Sequence, residues 1–141
     1  MYKHILVAVD LSEEGTQVIN KAIELQRTHS SHLSFVHVIE PTSYAFPALS
    51  VNAGEIHQQL KDLSEQKLAS IVEDKPLTNA SRATLTGKAT SEIFGYAEKN
   101  GVDLIVTGSH GKHGVQLLLG STANGILHGA KCDVLAVRIK H

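Results

Sequence analysis

HILVAVDLSEEGTQVINKAIELQRTHSSHLSFVHV, residues 4–38, decides the fold. Residues 4–10 form a continuous apolar run that ends in an acid. A run without polar alternation suits a strand covered on both faces, as parallel strands are. The period then changes. Over 12–29, Val18, Ala22 and Leu25 fall on one helical stripe, with Ile19 and Ile23 beside it. Ser12 stands where an N-cap belongs, and Glu13 and Glu14 suit the positive end of that helix. HLSFVHV, 32–38, is a second strand. Strand, helix and strand at this spacing form a crossover unit with parallel strands.

The rest of the chain repeats the alternation. Residues 39–54 hold two prolines and no period, so they read as a loop. Residues 55–74 read as the longest helix, with Ile56, Leu60, Leu63, Leu68 and Ile71 inward. SRATLTG, 81–87, is a more polar strand and suits an edge. A helix over 90–100, capped by Thr90 or Ser91 and closed by Gly101, precedes the strand DLIVTG, 103–108. A helix over 121–130 and the strand DVLAVRI, 133–139, complete the pattern. Five strands alternating with four helices predict a single doubly wound α/β domain over 1–141, built on a parallel sheet.

Bulk properties narrow the function. The chain has 141 residues, 42% hydrophobic and 19% charged, with a net charge of −1. That balance argues against a nucleic-acid surface or a polybasic membrane patch. No apolar run reaches the length of a membrane span. The opening MYKHILVAVDLS reaches Asp10 too soon for a signal peptide. Cys132 is the single cysteine, which excludes an internal disulfide and fits a reducing, cytoplasmic compartment.

Ligands of open parallel sheets bind beyond the carboxyl ends of the strands, where strand order reverses. Asp10, Val38 and Thr107–Gly108 therefore share one edge. After Gly108 come Gly111, Gly114 and Gly120. Their spacing matches neither the phosphate loop with its Gly-Lys-Ser/Thr ending nor the dinucleotide fingerprint. Gly120-Ser121-Thr122 nevertheless opens a helix with no acid in its first turn, unlike the helix that begins near Glu13 and Glu14. An acid-free helix start suits an anion. Gly108 and Gly111 would let backbone approach phosphates, with Lys112 and His113 adding charge. The plain alternative is that Gly108 ends a strand, Gly111 and Gly114 shape a turn, and Ser121 caps a helix. Asp10 likewise has two readings, a partner for a ribose hydroxyl or cation, or a capping box with Ser12 and Glu13.

Nine histidines raise the question of metal. His110 and His113 lie three apart on the glycine loop, without the ligand set of a zinc site, so no tightly bound metal is expected. Hydrogen-bonded or solvated imidazole is the default for the others. No G-x-S-x-G elbow occurs, and Cys132 has no adjacent base. No enzyme chemistry is legible.

MYKHILVAVDLSEE, LSFVHVIE, DLIVTGSHG and LLLGSTANGILHGAKCDVLAVR together resemble the universal stress protein family along nearly the whole chain. The N-terminal block is similar to its A branch. The resemblance implies a five-stranded sheet of order 3-2-1-4-5 with four helices, an adenine nucleotide alpha hydrolase-like fold. It also implies a cytoplasmic homodimer, pairing through 133–139, that acts as a regulator or sensor of stress with an unknown protein partner. ATP-binding members carry Gly, two residues, Gly, nine residues, then Gly with Ser or Thr. Gly108, Gly111 and Gly120-Ser121 match, but 112–119 supplies eight residues. The family pattern places Ala8, Asp10 and Val38 on adenine and ribose, and Thr107, Gly108 and Gly111 along ribose and phosphates. Gly120, Ser121 and Thr122 would hold the phosphate tail, with Lys112 above it. The implied ligand is ATP or AMP, with Mg accompanying it. Members of the A branch lack these glycines, so a nucleotide-independent interaction module is the other reading.

Overall fold

The computed structural model describes residues 1–41, 53–109 and 120–140. Nine elements alternate: β1 (His4–Ala8), α1 (Thr16–His29), β2 (His32–Ile39), α2 (Ala53–Glu73), β3 (Ala80–Thr86), α3 (Ala89–Lys99), β4 (Leu104–Gly108), α4 (Ser121–Gly129) and β5 (Asp133–Val137). The sheet order is β3-β2-β1-β4-β5, with every pair parallel. This is the doubly wound architecture and the order expected above. β3 lies at an edge, as its polarity predicts.

Strand alternation divides the core into two layers. Ile5, Val7, Leu33, Phe35, Leu104 and Val106 pack with α1 and with Leu68 and Val72 of α2. Leu6, Val36 and Ile105 face the other way, onto Ile93 and Ala97 of α3 and Ile126 of α4. Successive side chains of one strand thus serve opposite layers, which is why the strands read as unbroken apolar runs. β1 lies between β2 and β4, so the chain departs in opposite directions on its two sides. That reversal opens a crevice at the carboxyl edge.

Three expectations need correction. α1 begins at Thr16, with Gly15 as its N-cap and no acid in its first turn. Glu13 and Glu14 occupy a tight turn before it, where Thr16 N–H donates to Glu13 O and Gln17 N–H to Glu14 O, both at 3.1 Å. A Cβ on Gly15 would stand 2.5 Å from Asp10 Oδ1, so a larger residue there would displace the Asp10 carboxylate. On α2, Ser64, Leu68 and Val72 form the buried stripe, while Ile56 and Leu63 are 46% and 63% exposed. The stripe repeats every four residues through the C-terminal half; Leu63 lies off it, and Ile56 and Leu60, although in step with it, are not buried. Finally, α2 begins at Ala53, and most of the predicted loop 39–54, at 42–52, lies outside the described residues.

Candidate functional site

Three strand ends and two helix starts meet at the carboxyl edge. Val9 N–H extends the β1 ladder by donating to Val36 O at 2.8 Å. Asp10 then turns the chain: its Oδ1 accepts from Ser12 N–H at 2.9 Å and from Ser12 Oγ–H at 2.7 Å. Ser12 Oγ in turn accepts from Gly15 N–H at 3.0 Å. Ser12 therefore caps the turn rather than the helix, and Asp10 orients it. Leu11 takes φ 66° to make room for this arrangement. At the end of β2, His37 Nδ1 lies 2.7 Å from Val9 O. A carbonyl only accepts, so Nδ1 carries the proton and ties β2 to β1 beyond the ladder.

The β4 end is pinned more heavily. Ser109 N–H donates to Val137 O at 2.8 Å, and Ile139 N–H donates to Ser109 Oγ at 3.2 Å. Gly120 N–H donates to Ser109 O at 2.9 Å, so the chain rejoins the fold where it left. Gly111, Lys112, Gly114, His110 and His113 lie outside the described residues. Gly108 has a protein reason to be glycine. A Cβ there would meet Ile139 Cδ1 at 3.3 Å and Val18 Cγ2 at 3.4 Å. The packing alternative thus has a contact of its own at this glycine, one that holds as far as the Ile139 side chain cannot give by a few tenths of an ångström.

The helix starts differ in charge. At α3, Ala89 N–H donates to Glu40 Oε1 at 2.9 Å, so a carboxylate already sits there. At α4, Gly120 is the N-cap, without a side-chain cap bond, and the first turn holds no acid. Ser121 is the first helical residue and not the cap expected of it under the plain alternative. A helix start of this kind keeps its positive end for an outside anion.

Between these parts lies a cleft of about 210 Å³, far above the volume of one water. Ala8, Asp10, Val38, Thr107, Gly108, Gly120, Ser121 and Thr122 all line it. The structure therefore brings every described residue of the expected set into one cavity. Sequence reasoning missed Val36, His37, Ala89, Ile93 and Ala123, which also line it. Val36 was available from alternation, being two residues before Val38. His37 faces the opposite layer, and no period distinguishes it. Ala89 and Ile93 depend on how close α3 lies to α4.

Among the described residues, no group of three or more His, Cys, Asp or Glu side chains could hold a metal ion. Burial pushes the Cys132 thiol up, with Asp133 and Asp103 adding to it. A thiol held protonated is a poor nucleophile, in keeping with a packing role. No described helix is long and apolar enough to cross a membrane.

An open parallel sheet of this order, with its crevice at the switch point, defines a doubly wound α/β protein of the adenine nucleotide alpha hydrolase-like fold. Residues 1–138 match the Universal stress protein family, and the chain belongs to it. It is 41% identical to Universal stress protein A homolog 2 of Coxiella burnetii, covering 99% of this chain and 97% of that one. Among solved structures, hypothetical protein MJ0577 superposes with a TM-score of 0.86 at 27% identity, covering 100% of this chain and 99% of that one. More distant structures share the fold. A universal stress protein in complex with cAMP has a TM-score of 0.62 at 21% identity, covering 96% of both chains. One from Archaeoglobus fulgidus in complex with dAMP has a TM-score of 0.63 at 20% identity, covering 99% of this chain and 98% of that one.

Proposed function

We propose that this universal stress protein binds an adenine nucleotide, ATP or AMP, in the carboxyl-edge cleft and acts as a cytoplasmic regulator or sensor of stress. The observation that carries the reading is the acid-free start of α4 facing a cleft shared with Asp10, Val38 and Thr107. In this reading Ala8 and Val38 flank the base, and Asp10 accepts from a ribose hydroxyl. Thr107 and Gly108 border the ribose. The N–H groups of Ser121 and Thr122, with their hydroxyls, hold the phosphates, and Gly111 and Lys112 complete the loop above them. Gly120 gives its own N–H to Ser109 O. Its role is close approach rather than donation. That family structures are described with cAMP and dAMP supports an adenine ligand. Mg would be carried in by the nucleotide's phosphates.

The one-residue departure from the family spacing weighs little against this reading. Ser109 and Gly120 are bonded to each other, so a change of length between them is absorbed there and need not displace α4. The whole chain, 1–141, acts as one domain and binds rather than catalyses. β5 is an edge strand, and pairing with a second copy through 133–139 would cover it. A further protein partner would read the nucleotide state.

Thermal unfolding of nucleotide-stripped protein, with and without millimolar Mg-ATP, tests the reading. A ligand at a hundred times its Kd adds about 2.7 kcal/mol and raises Tm by several degrees. A shift with ATP or AMP and not with GTP supports it. No shift with any adenine nucleotide overturns it and returns the protein to the nucleotide-independent interaction module.

A further inference from the structure

The amino edge of the sheet, opposite the cleft, carries a hydrogen-bonded chain that no part of the nucleotide reading uses. His4 opens β1 and His32 opens β2, and the two are register partners. Ser34 and Ser81 are register partners on β2 and β3. Alternation puts all four on the α3 side of the sheet. The chain runs from Asn100 O to His4 Nδ1 at 3.0 Å, and from His4 Nε2 to Ser34 Oγ at 2.7 Å. It continues from Ser34 Oγ to Ser81 Oγ at 3.0 Å, from Ser81 Oγ to His32 Nε2 at 3.0 Å, and from His32 Nδ1 to Asn79 Oδ1 at 2.7 Å. Both ends are oxygens that can only accept.

Counting protons shows what the chain requires. Five links need five protons. Two hydroxyls and two neutral imidazoles supply four. With both histidines neutral, one link is two acceptors facing each other. One added proton satisfies every link, in either of two ways. If His32 carries it, His32 Nε2–H donates to Ser81, Ser81 to Ser34, and Ser34 to His4 Nε2. If His4 carries it, each of those three bonds reverses. Tyr96 O–H donates to Ser34 Oγ at 3.2 Å, and Ser34 can accept this bond in both patterns. A sixth proton leaves a hydroxyl hydrogen without an acceptor and places two charges on rings whose centroids are 4.7 Å apart.

We propose that His4 and His32 share one proton through Ser34 and Ser81, forming a one-proton acid sensor that ties β1, β2, β3 and α3 together. The titratable groups facing it from the packed elements are Tyr96 on α3 and Asp103 between α3 and β4. The Asp103 carboxylate accepts from the N–H groups of Lys3 and His4 at 2.9 and 3.0 Å and favours charge at His4. Burial of His4 opposes charge there more strongly. The chain of bonds therefore has a place for one proton and not for two, and burial keeps His4 below the ordinary imidazole range. Acidification beyond that point sets two charged rings side by side where β1 meets β2.

The chain 1–141 labelled with nitrogen-15 in histidine, followed by NMR from pH 4 to 9, tests this. The expected result is a plateau at which the protonated fractions of the two rings add to one, followed by a second uptake at lower pH. Ser81→Ala should abolish the plateau and let the rings titrate separately. Asn79→Asp should move the proton onto His32 and neutralise His4, about three links away along the chain. This second variant keeps the test open if Ser81→Ala does not fold. Rings that titrate independently in the parent, both rings neutral throughout the plateau range, or a His4 that ignores Asn79→Asp would each overturn the proposal. The second of these is what an Asn79 amide turned to donate toward His32 would give.

Discussion

Gly120 N–H donates to Ser109 O at 2.9 Å, so residues 110–119 leave and rejoin the fold at one point. Inserting one glycine after Lys112 should therefore leave nucleotide affinity within about threefold of the parent. Lengthening a closed loop from ten residues to eleven costs only about 0.1 kcal/mol of closure entropy. Isothermal titration with Mg-ATP measures it. A large gain on insertion would instead mean that the family spacing controls the phosphate site directly.

Gly108→Ala should destabilise the protein by about 1–2 kcal/mol, with a Tm fall of several degrees, before any ligand is added. The new methyl would crowd Ile139 and Val18, which belong to the core. Thermal unfolding of stripped protein separates this packing effect from any effect on binding. A normal Tm with lost nucleotide affinity would reassign Gly108 to ligand approach alone.

The fold was legible because each strand, buried on two faces, writes its burial as an apolar run. Edge strand β3 announced itself by Ser81, Arg82 and Thr84. The lining of the candidate cleft was legible at Asp10, Val38 and Thr107, because parallel strands end on a common edge and topology then places those ends together. What stayed hidden depends on contacts across the chain. Nothing local reveals that Gly108 packs against Ile139, or that His4 and His32 are joined by two serines. The error on α2 has the same origin. Leucine and isoleucine at helical spacing define two adjacent stripes, and only the sheet beneath decides which is covered.

Asp10→Asn should preserve the fold while weakening nucleotide binding about tenfold. Asparagine keeps an oxygen for Ser12 N–H and Ser12 Oγ–H, so the turn to Gly15 survives. It loses the charge that strengthens a bond from a ribose hydroxyl, worth about 1.4 kcal/mol. Asp10→Ala should lose the turn as well, lowering Tm by several degrees without ligand. Binding and Tm measured on both variants separate the two roles. Equal affinity of parent and Asp10→Asn would remove Asp10 from the ribose.

Stability should fall in two stages as the pH is lowered. Burial holds the folded His4 below the ordinary imidazole value, with His32 adding to it and the Asn100 carbonyl and Asp103 opposing. The unfolded chain therefore takes up the proton first. The stability tied to neutral His4 is complete above about pH 6.5, the unfolded value, and drains away as the pH falls through the folded one. Asp103 is pushed up by burial, but the N–H groups of Lys3, His4 and Asp103 itself, together with the charge of His4, outweigh it and hold the carboxyl low. Its contribution is present above about pH 3.9 and is lost only below that. Tm followed from pH 8 to 3 should show an upper limb that His4→Gln flattens and a lower limb that Asp103→Asn flattens. Asp103→Asn should also cost about 1 kcal/mol at pH 7, because two backbone donors lose a charged acceptor. A single acid limb, unchanged by either substitution, would mean that neither group couples its proton to folding.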